Sequence, residues 1–204
     1  MSLDARDVKS LAKALKQDVK GLDLITSANI SADLKAQGKG FAANNIDADI
    51  KGSDLAVNYA GSAVIGDTIT ATGNFSANTA SVPDLLKAID QDIPQATAIN
   101  NLDAKGSIVY TGDLISLTNL NVKTGGGAVS GTYKGDAKIT DGTPTLNGQF
   151  DVAIPSVGQA NQIADLKFDA AKAIGSLAAS GKINLAANDV ITICLLYTSD
   201  AADE

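Results

Sequence analysis

The chain has 204 residues, a formal charge of −7, and neither His nor Trp. That length suffices for one sizeable core or an elongated array. The absence of His excludes Ser–His and Cys–His catalysis and His-based zinc sites, and no basic stripe interleaves with aromatics, so no nucleic-acid partner is expected.

Apolar residues make up 45% of the chain but aromatics only 4%. A core built from it must therefore use Ala, Val, Leu and Ile in thin layers. Gly, Asn, Asp, Ser and Thr recur in short clusters, a mix that favours tight turns over long loops. No stretch of about 18 apolar residues is present, so none of it is expected to span a bilayer as a helix. The N-terminus lacks a basic region followed by an apolar one, so it does not read as a signal peptide.

In chain order, Val8, Leu11, Leu15 and Val19 place one apolar stripe on a short amphipathic helix. Strands follow. Ile46, Ala48 and Ile50 alternate with polar residues, and Leu55, Val57 and Tyr59 continue the rhythm. Ile69, Ala71, Gly73 and Phe75 then alternate with Thr70, Thr72, Asn74 and Ser76. A second helix is expected from Val82, with Ser81 as N-cap, Pro83 at the first helical position, the Leu85, Leu86 and Ile89 stripe, and Pro94 helping to end it.

The strand rhythm returns in Leu102, Ala104, Gly106, Ile108 and Tyr110, and again in Leu146, Gly148, Phe150, Val152 and Ile154. Gly52-Ser53-Asp54, Gly66-Asp67, Thr111-Gly112-Asp113 and Asp141-Gly142 punctuate the strands as turns. A third helix is expected near Val157, running through Ile163, Leu166, Phe168 and Ile174 as one or two segments.

These elements repeat. Leu11 to Asp18 aligns with Leu85 to Asp92 at an offset of 74, and Phe75, Val82 and Gly106 align with Phe150, Val157 and Gly181 at 75. The expected division is a first helix-plus-meander unit over 1–80, a second over 81–155 and a partial third over 156–193. The fold class is mainly β: repeated antiparallel meanders with short amphipathic helices, forming an elongated open sheet or groove.

The last run, 194–204, breaks the pattern. It holds the only Cys, Cys194, and the only Glu, Glu204, and it resembles translated sequencing-adapter DNA, so it is expected to be non-native. Residues 1–193 alone carry 20 Asp against 16 Lys plus Arg, a formal charge of −4.

Paired carboxylates such as Asp47 and Asp49 fall two apart on a strand, where they share the wet face instead of a cleft. Gly125-Gly126-Gly127 lacks the Gly-Lys-Ser/Thr ending and following helix of a phosphate loop, and reads better as a turn or bulge. No catalytic, cofactor or metal residue is assigned, and no enzyme activity is expected. One-sided apolar strands must still cover that face. A second sheet, the helices, a partner or lipid would each do so. Ile69, Phe75, Ile108, Tyr110, Phe150 and Val152 are the candidate residues of this face, either as core or as groove.

Phe75 to Ile93 leading into Asn101-Leu102-Asp103-Ala104-Lys105-Gly106, together with Leu117 to Val122, Gly126 to Tyr133 and Pro144 to Val152, resembles the C-terminal repeat region of the AsmA family. The resemblance implies a non-enzymatic periplasmic segment, held at the inner membrane by an N-terminal anchor outside this sequence. It implies a role in phospholipid transfer and outer-membrane assembly along an apolar groove, with acyl chains and envelope proteins as partners. The alternative from the residues alone is a structural or adhesive β-repeat of a surface protein.

Overall fold

The computed structural model describes residues 2–5, 24–38, 40–88, 90, 93–164, 175–186 and 191–198. The expected helix over Val8–Val19 lies outside the described residues, as do Leu166, Phe168 and Ile174.

Among the described residues, eleven strands form one antiparallel sheet in strict sequence order. They are β1 (Ser2–Ala5), β2 (Ile25–Gln37), β3 (Gly40–Gly52), β4 (Leu55–Ile65), β5 (Thr70–Thr79) and β6 (Asn101–Thr111). β7 (Leu114–Gly125), β8 (Ser130–Thr140), β9 (Thr143–Ile154), β10 (Leu177–Leu185) and β11 (Ile191–Thr198) complete it. The longest, β2 and β3, have 13 residues each, about 43 Å of extended chain. From β2 to β5 and from β6 to β9 each strand returns beside its predecessor because the connections are short turns, as the Gly- and Asp-rich punctuation anticipates. Asp141 and Gly142 both have positive φ, 49° and 78°, which suits a two-residue hairpin between twisted strands. The expected non-native run contributes Cys194–Thr198 to β11, where Cys194 lies opposite Lys182; residues 199–204 lie outside the described residues.

Among the described residues, two α-helices interrupt the meander at equivalent places. α1 (Val82–Ala88) follows β5, and α2 (Val157–Ala164) follows β9. Their N-termini are capped alike. Ser81 Oγ accepts from the Asp84 amide at 3.3 Å, and Ser156 Oγ accepts from the Gln159 amide at 3.3 Å, each satisfying one free donor of the first turn.

Two details differ from expectation. Val82 is the first helical residue, so Pro83 takes the second position, where its missing N–H is still harmless. α1 also stops at Ala88, short of Ile93. Asp90 adopts φ 55°, which a right-handed helix cannot continue. Pro94 then opens a 3-10 helix, Pro94–Ala98, in place of closing α1.

These helical pieces pack together at one end of the strands. The Thr97 hydroxyl donates to the Ile163 carbonyl at 2.9 Å. The Val82 amide donates to Asn100 O, and the Val129 amide to Ala98 O. Ala96, Ala98, Val157 and Ala160 are buried here. Buried side chains elsewhere are small as well, such as Ala28, Ala43 and Ala48. Among the described residues no large side chain is fully buried. The chain exposes 13246 Å², whereas a compact chain of its mass exposes about 8900 Å². Among the described residues no second sheet closes this layer.

Candidate functional site: the open apolar face

Alternation puts every second residue of a strand on one side of the sheet. Following the pairings across the sheet shows which residues share that side. Tyr59 lies opposite Phe75, and Phe75 opposite Gly106. Gly73 pairs with Ile108, and Ala71 with Tyr110. Ile108 and Tyr110 pair with Leu117 and Ile115. Tyr133 lies opposite Phe150, Gly131 opposite Val152, and Phe150 opposite Gly181. One face is therefore apolar from β2 to β10, and it brings together Phe75, Ile108, Tyr110, Phe150 and Val152, all half-buried. Ile69 stands one residue before β5 and is 50% exposed. Its carbonyl accepts from the Gly112 amide at 3.2 Å, which ties it to the next hairpin.

Two bulges keep this face continuous. In β3 the pairing with β4 jumps from Ala43/Ala63 to Ile46/Gly61, and in β7 the pairing with β8 jumps from Leu117/Ala137 to Leu120/Gly135. Each jump inserts one extra residue. Asn45 and Asn119 sit there at φ 51° and 52°, a conformation that Asn tolerates better than most residues. The inserted residue shifts the parity, so Ala43 and Ile46, and likewise Leu117 and Leu120, point the same way. The backbone of Asn119 is held by the Asp136 carboxylate, which accepts its amide at 3.0 Å.

A second recurrent feature braces the glycines of the face. Gly61 pairs with Gly73, and Gly135 with Gly148. A Cβ at Gly73 would stand 2.7 Å from the Tyr59 ring, and one at Gly148 would stand 2.8 Å from the Tyr133 ring. The Tyr59 hydroxyl donates towards the carbonyls of Ser62 and Thr72, both at 3.0 Å. The Tyr133 hydroxyl donates to Asp136 O at 2.8 Å. Burial pushes both phenols above the usual tyrosine pKa, against the lowering effect of their backbone hydrogen bonds, and the Asp136 charge adds to the rise at Tyr133. Alternation places Tyr59 in a strand but does not reveal this pairing. The matching segments Tyr59-Ala60-Gly61 and Tyr133-Lys134-Gly135, 74 apart, are the signal that could have found it.

The other side of the sheet is polar. Asp47 and Asp49 lie on it two residues apart, and Lys51 Nζ reaches Asp49 at 3.0 Å, an exposed pair of little energetic weight. Two shallow hollows recur at equivalent positions, of about 480 and 660 Å³. The first is lined by Asn58, Asn74, Ser76 and Lys105, the second by Thr132, Gln149, Asp151 and Ser180. The Asn58 side-chain amide and the Ser107 hydroxyl donate across strands to Ser76 and Asn74, so part of this polarity is spent within the sheet.

Gly125 ends β7, and Gly126 and Gly127 open the turn to β8, with Gly126 at φ 72°. Among the described residues no cluster of three or more His, Cys, Asp or Glu is arranged to hold a metal, and no helix is long and apolar enough to cross a membrane. What the arrangement offers chemically is an apolar surface of large area with small side chains between the larger ones, and hydrogen-bonding groups on the reverse. No protein-family model, curated protein or solved structure matches the chain.

Proposed function

We propose that this chain is a non-enzymatic, periplasmic segment of an AsmA-like envelope protein, and that its apolar sheet face forms part of a groove that shelters phospholipid acyl chains. The observation that carries the reading is the continuity of that face. It runs unbroken through two bulges, and its larger side chains, Phe75, Ile108, Tyr110, Phe150 and Val152, are only half-buried. An apolar face of this extent needs a cover. Acyl chains gain about 0.8 kcal/mol for each methylene they remove from water, so several methylenes lying along the strands bind usefully. Small residues beside the larger ones, such as Ala77 and its partner Ala104 beside Phe75, leave troughs that a flexible chain can fill. The polar reverse side stays wet. Attachment to the inner membrane and a role in outer-membrane assembly belong to the same reading and rest on the sequence resemblance.

The test is the lipid content of the purified protein, measured by mass spectrometry after organic extraction, together with displacement of a fluorescent fatty acid. Phospholipid at near-stoichiometric amounts, lost in a Phe75→Asp/Phe150→Asp double variant that keeps its β-rich circular dichroism, is the expected result. A wild-type protein that carries no lipid and displaces no probe would overturn it.

A further inference from the structure

The three places where one unit meets the next share one register. Between β5 and β6, Ser76 lies opposite Lys105, Ala77 opposite Ala104, Asn78 opposite Asp103 and Thr79 opposite Leu102. Between β9 and β10, Asp151 lies opposite Ser180, Val152 opposite Ala179 and Ala153 opposite Ala178, which is the same pairing moved by 75 residues. Between β1 and β2, Ser2 lies opposite Ser31, Leu3 opposite Ile30, Asp4 opposite Asn29 and Ala5 opposite Ala28. That is the β5–β6 pairing moved by 74 residues. β1 therefore stands where the final four residues of a closing strand, the counterpart of Ser76–Thr79, stand at the other two junctions.

At those junctions the closing strand is longer. Thr70 to Asn74 continues along β6, pairing with Thr111 to Ser107. The equivalent stretch of β2 is Asp33–Gln37. It pairs inward with β3, through Asp33 opposite Asn44 to Gln37 opposite Gly40, while β1 pairs with β2 only as far as Ser31. All five residues are exposed, Leu34 by 55%. Its counterpart Ile108, which has a closing strand beside it, is half-buried.

We propose that the outer edge of β2 from Asp33 to Gln37 is an acceptor for the closing strand of a further unit of this same repeat. The strand it fits runs antiparallel to β2. It carries small or apolar residues on the side of Leu34 and Ala36, and Thr or Asn on the other, as Thr70-Ala71-Thr72-Gly73-Asn74 does. In the shared register, Asn74-, Gly73-, Thr72-, Ala71- and Thr70-like residues fall opposite Asp33, Leu34, Lys35, Ala36 and Gln37. The added strand supplies main-chain hydrogen bonds to an exposed edge, and alternate side chains set its facing. It also extends the apolar face by one strand beyond Leu34. This edge pairing holds whether or not that face takes acyl chains.

The test is to add the segment Thr-Ala-Thr-Gly-Asn-Phe directly before Ser2, replacing Met1, in the full chain. The expected result is a higher urea midpoint and slower hydrogen exchange at amides of Asp33–Gln37, with the β6 amides unchanged. A second variant, in which the added Ala and Gly are replaced by Pro, removes the N–H donors that face β2 and is expected to lose both gains. Equal stability and exchange in all three proteins would overturn the proposal. A dimer of the original chain in sedimentation that the extension dissolves would assign the edge to a second copy's β2 and overturn the occupant proposed here.

Discussion

The phenol of Tyr59 lies over Gly73, on the neighbouring strand and two residues along from its own partner Phe75, and donates to the Thr72 carbonyl at 3.0 Å. The ring fills the space that two facing glycines leave open, the role aromatic residues take beside glycines in strands. A side chain at Gly73 would meet this ring and, at 2.5 Å, the carbonyl oxygen of Ala60. Gly73→Ala is therefore expected to destabilise by about 1–3 kcal/mol through overpacking. Gly66 is the control, because a Cβ there meets nothing within 4 Å. Gly66→Ala is expected to be neutral or to stabilise by up to about 1 kcal/mol, by narrowing the unfolded ensemble. Urea midpoints of the two variants check the contrast.

The same phenols make stability depend on alkaline pH. Burial raises the pKa of Tyr59 and of Tyr133 in the folded chain above the ordinary value of 10.0. The unfolded phenols ionise first, so above that value the unfolded state binds fewer protons than the folded one, and stability falls as pH rises. The contribution of the two protons is complete below pH 10.0 and is lost as pH climbs through the folded pKa values. Urea titrations at a series of pH values on both sides of this point are expected to show the fall. Tyr59→Phe and Tyr133→Phe should each reduce its slope, and each should cost about 1 kcal/mol at neutral pH for the lost hydroxyl bonds.

Asn45 and Asn119 test the parity argument. Both hold positive φ within a bulge, and a β-branched residue there is strained by about 1–3 kcal/mol. Asn119→Val is expected to destabilise by that amount, and Asn119→Gly to change stability by less than about 1 kcal/mol. Deleting Asn119 is the more severe change. It would turn Leu120 and Val122 to the polar side or force β7 to slip against β6 and β8. The expected outcome is loss of cooperative unfolding, checked by comparing circular dichroism and intrinsic tyrosine fluorescence across a urea series.

Period-two alternation was the legible part of the fold. It located strands around Ile46–Ile50, Leu55–Tyr59, Thr70–Ser76, Leu102–Tyr110 and Leu146–Ile154 because one side of each is apolar and the other polar. The open, antiparallel, mainly β architecture follows from those strands and their short turns. Alternation is a local signal, however, and it fails where the chain inserts a residue. β7 reads as two short strands out of phase, Ile115-Leu117 and Leu120-Val122, until the bulge at Asn119 joins them. The helix boundaries were blurred for a similar reason. The apolar stripe of α1 continues past Ala88 to Ile89, but backbone geometry at Asp90 ends the helix. The brace between Tyr59 and Gly73 depends on pairing between strands, which a single residue's neighbours in sequence do not reveal. The extent of the apolar face is set by the registers of successive strands, which no single segment of sequence contains.

The two serine caps offer the last test, because they ask whether the helices matter to the sheet or only decorate its end. Ser81 and Ser156 each accept one amide of a first turn at 3.3 Å. Replacing such a cap with Ala costs about 1 kcal/mol. α1 and α2 are short, 7 and 8 residues, and helices of that length are not stable alone in water. Their stability comes from packing with the 3-10 segment that holds buried Ala96 and Ala98, and from the bond between Thr97 and the Ile163 carbonyl. If sheet and helices unfold together, Ser81→Ala and Ser156→Ala should each lower the global urea midpoint, and the double variant should lose about 2 kcal/mol. If the helices open separately, the global midpoint will stay fixed while hydrogen exchange quickens only at amides of Val82–Ala88 and Val157–Ala164. The Val82 amide is bonded to Asn100 O, and the Val129 amide of the β7–β8 turn to Ala98 O. Those links between helices and strand ends make the first outcome the expected one.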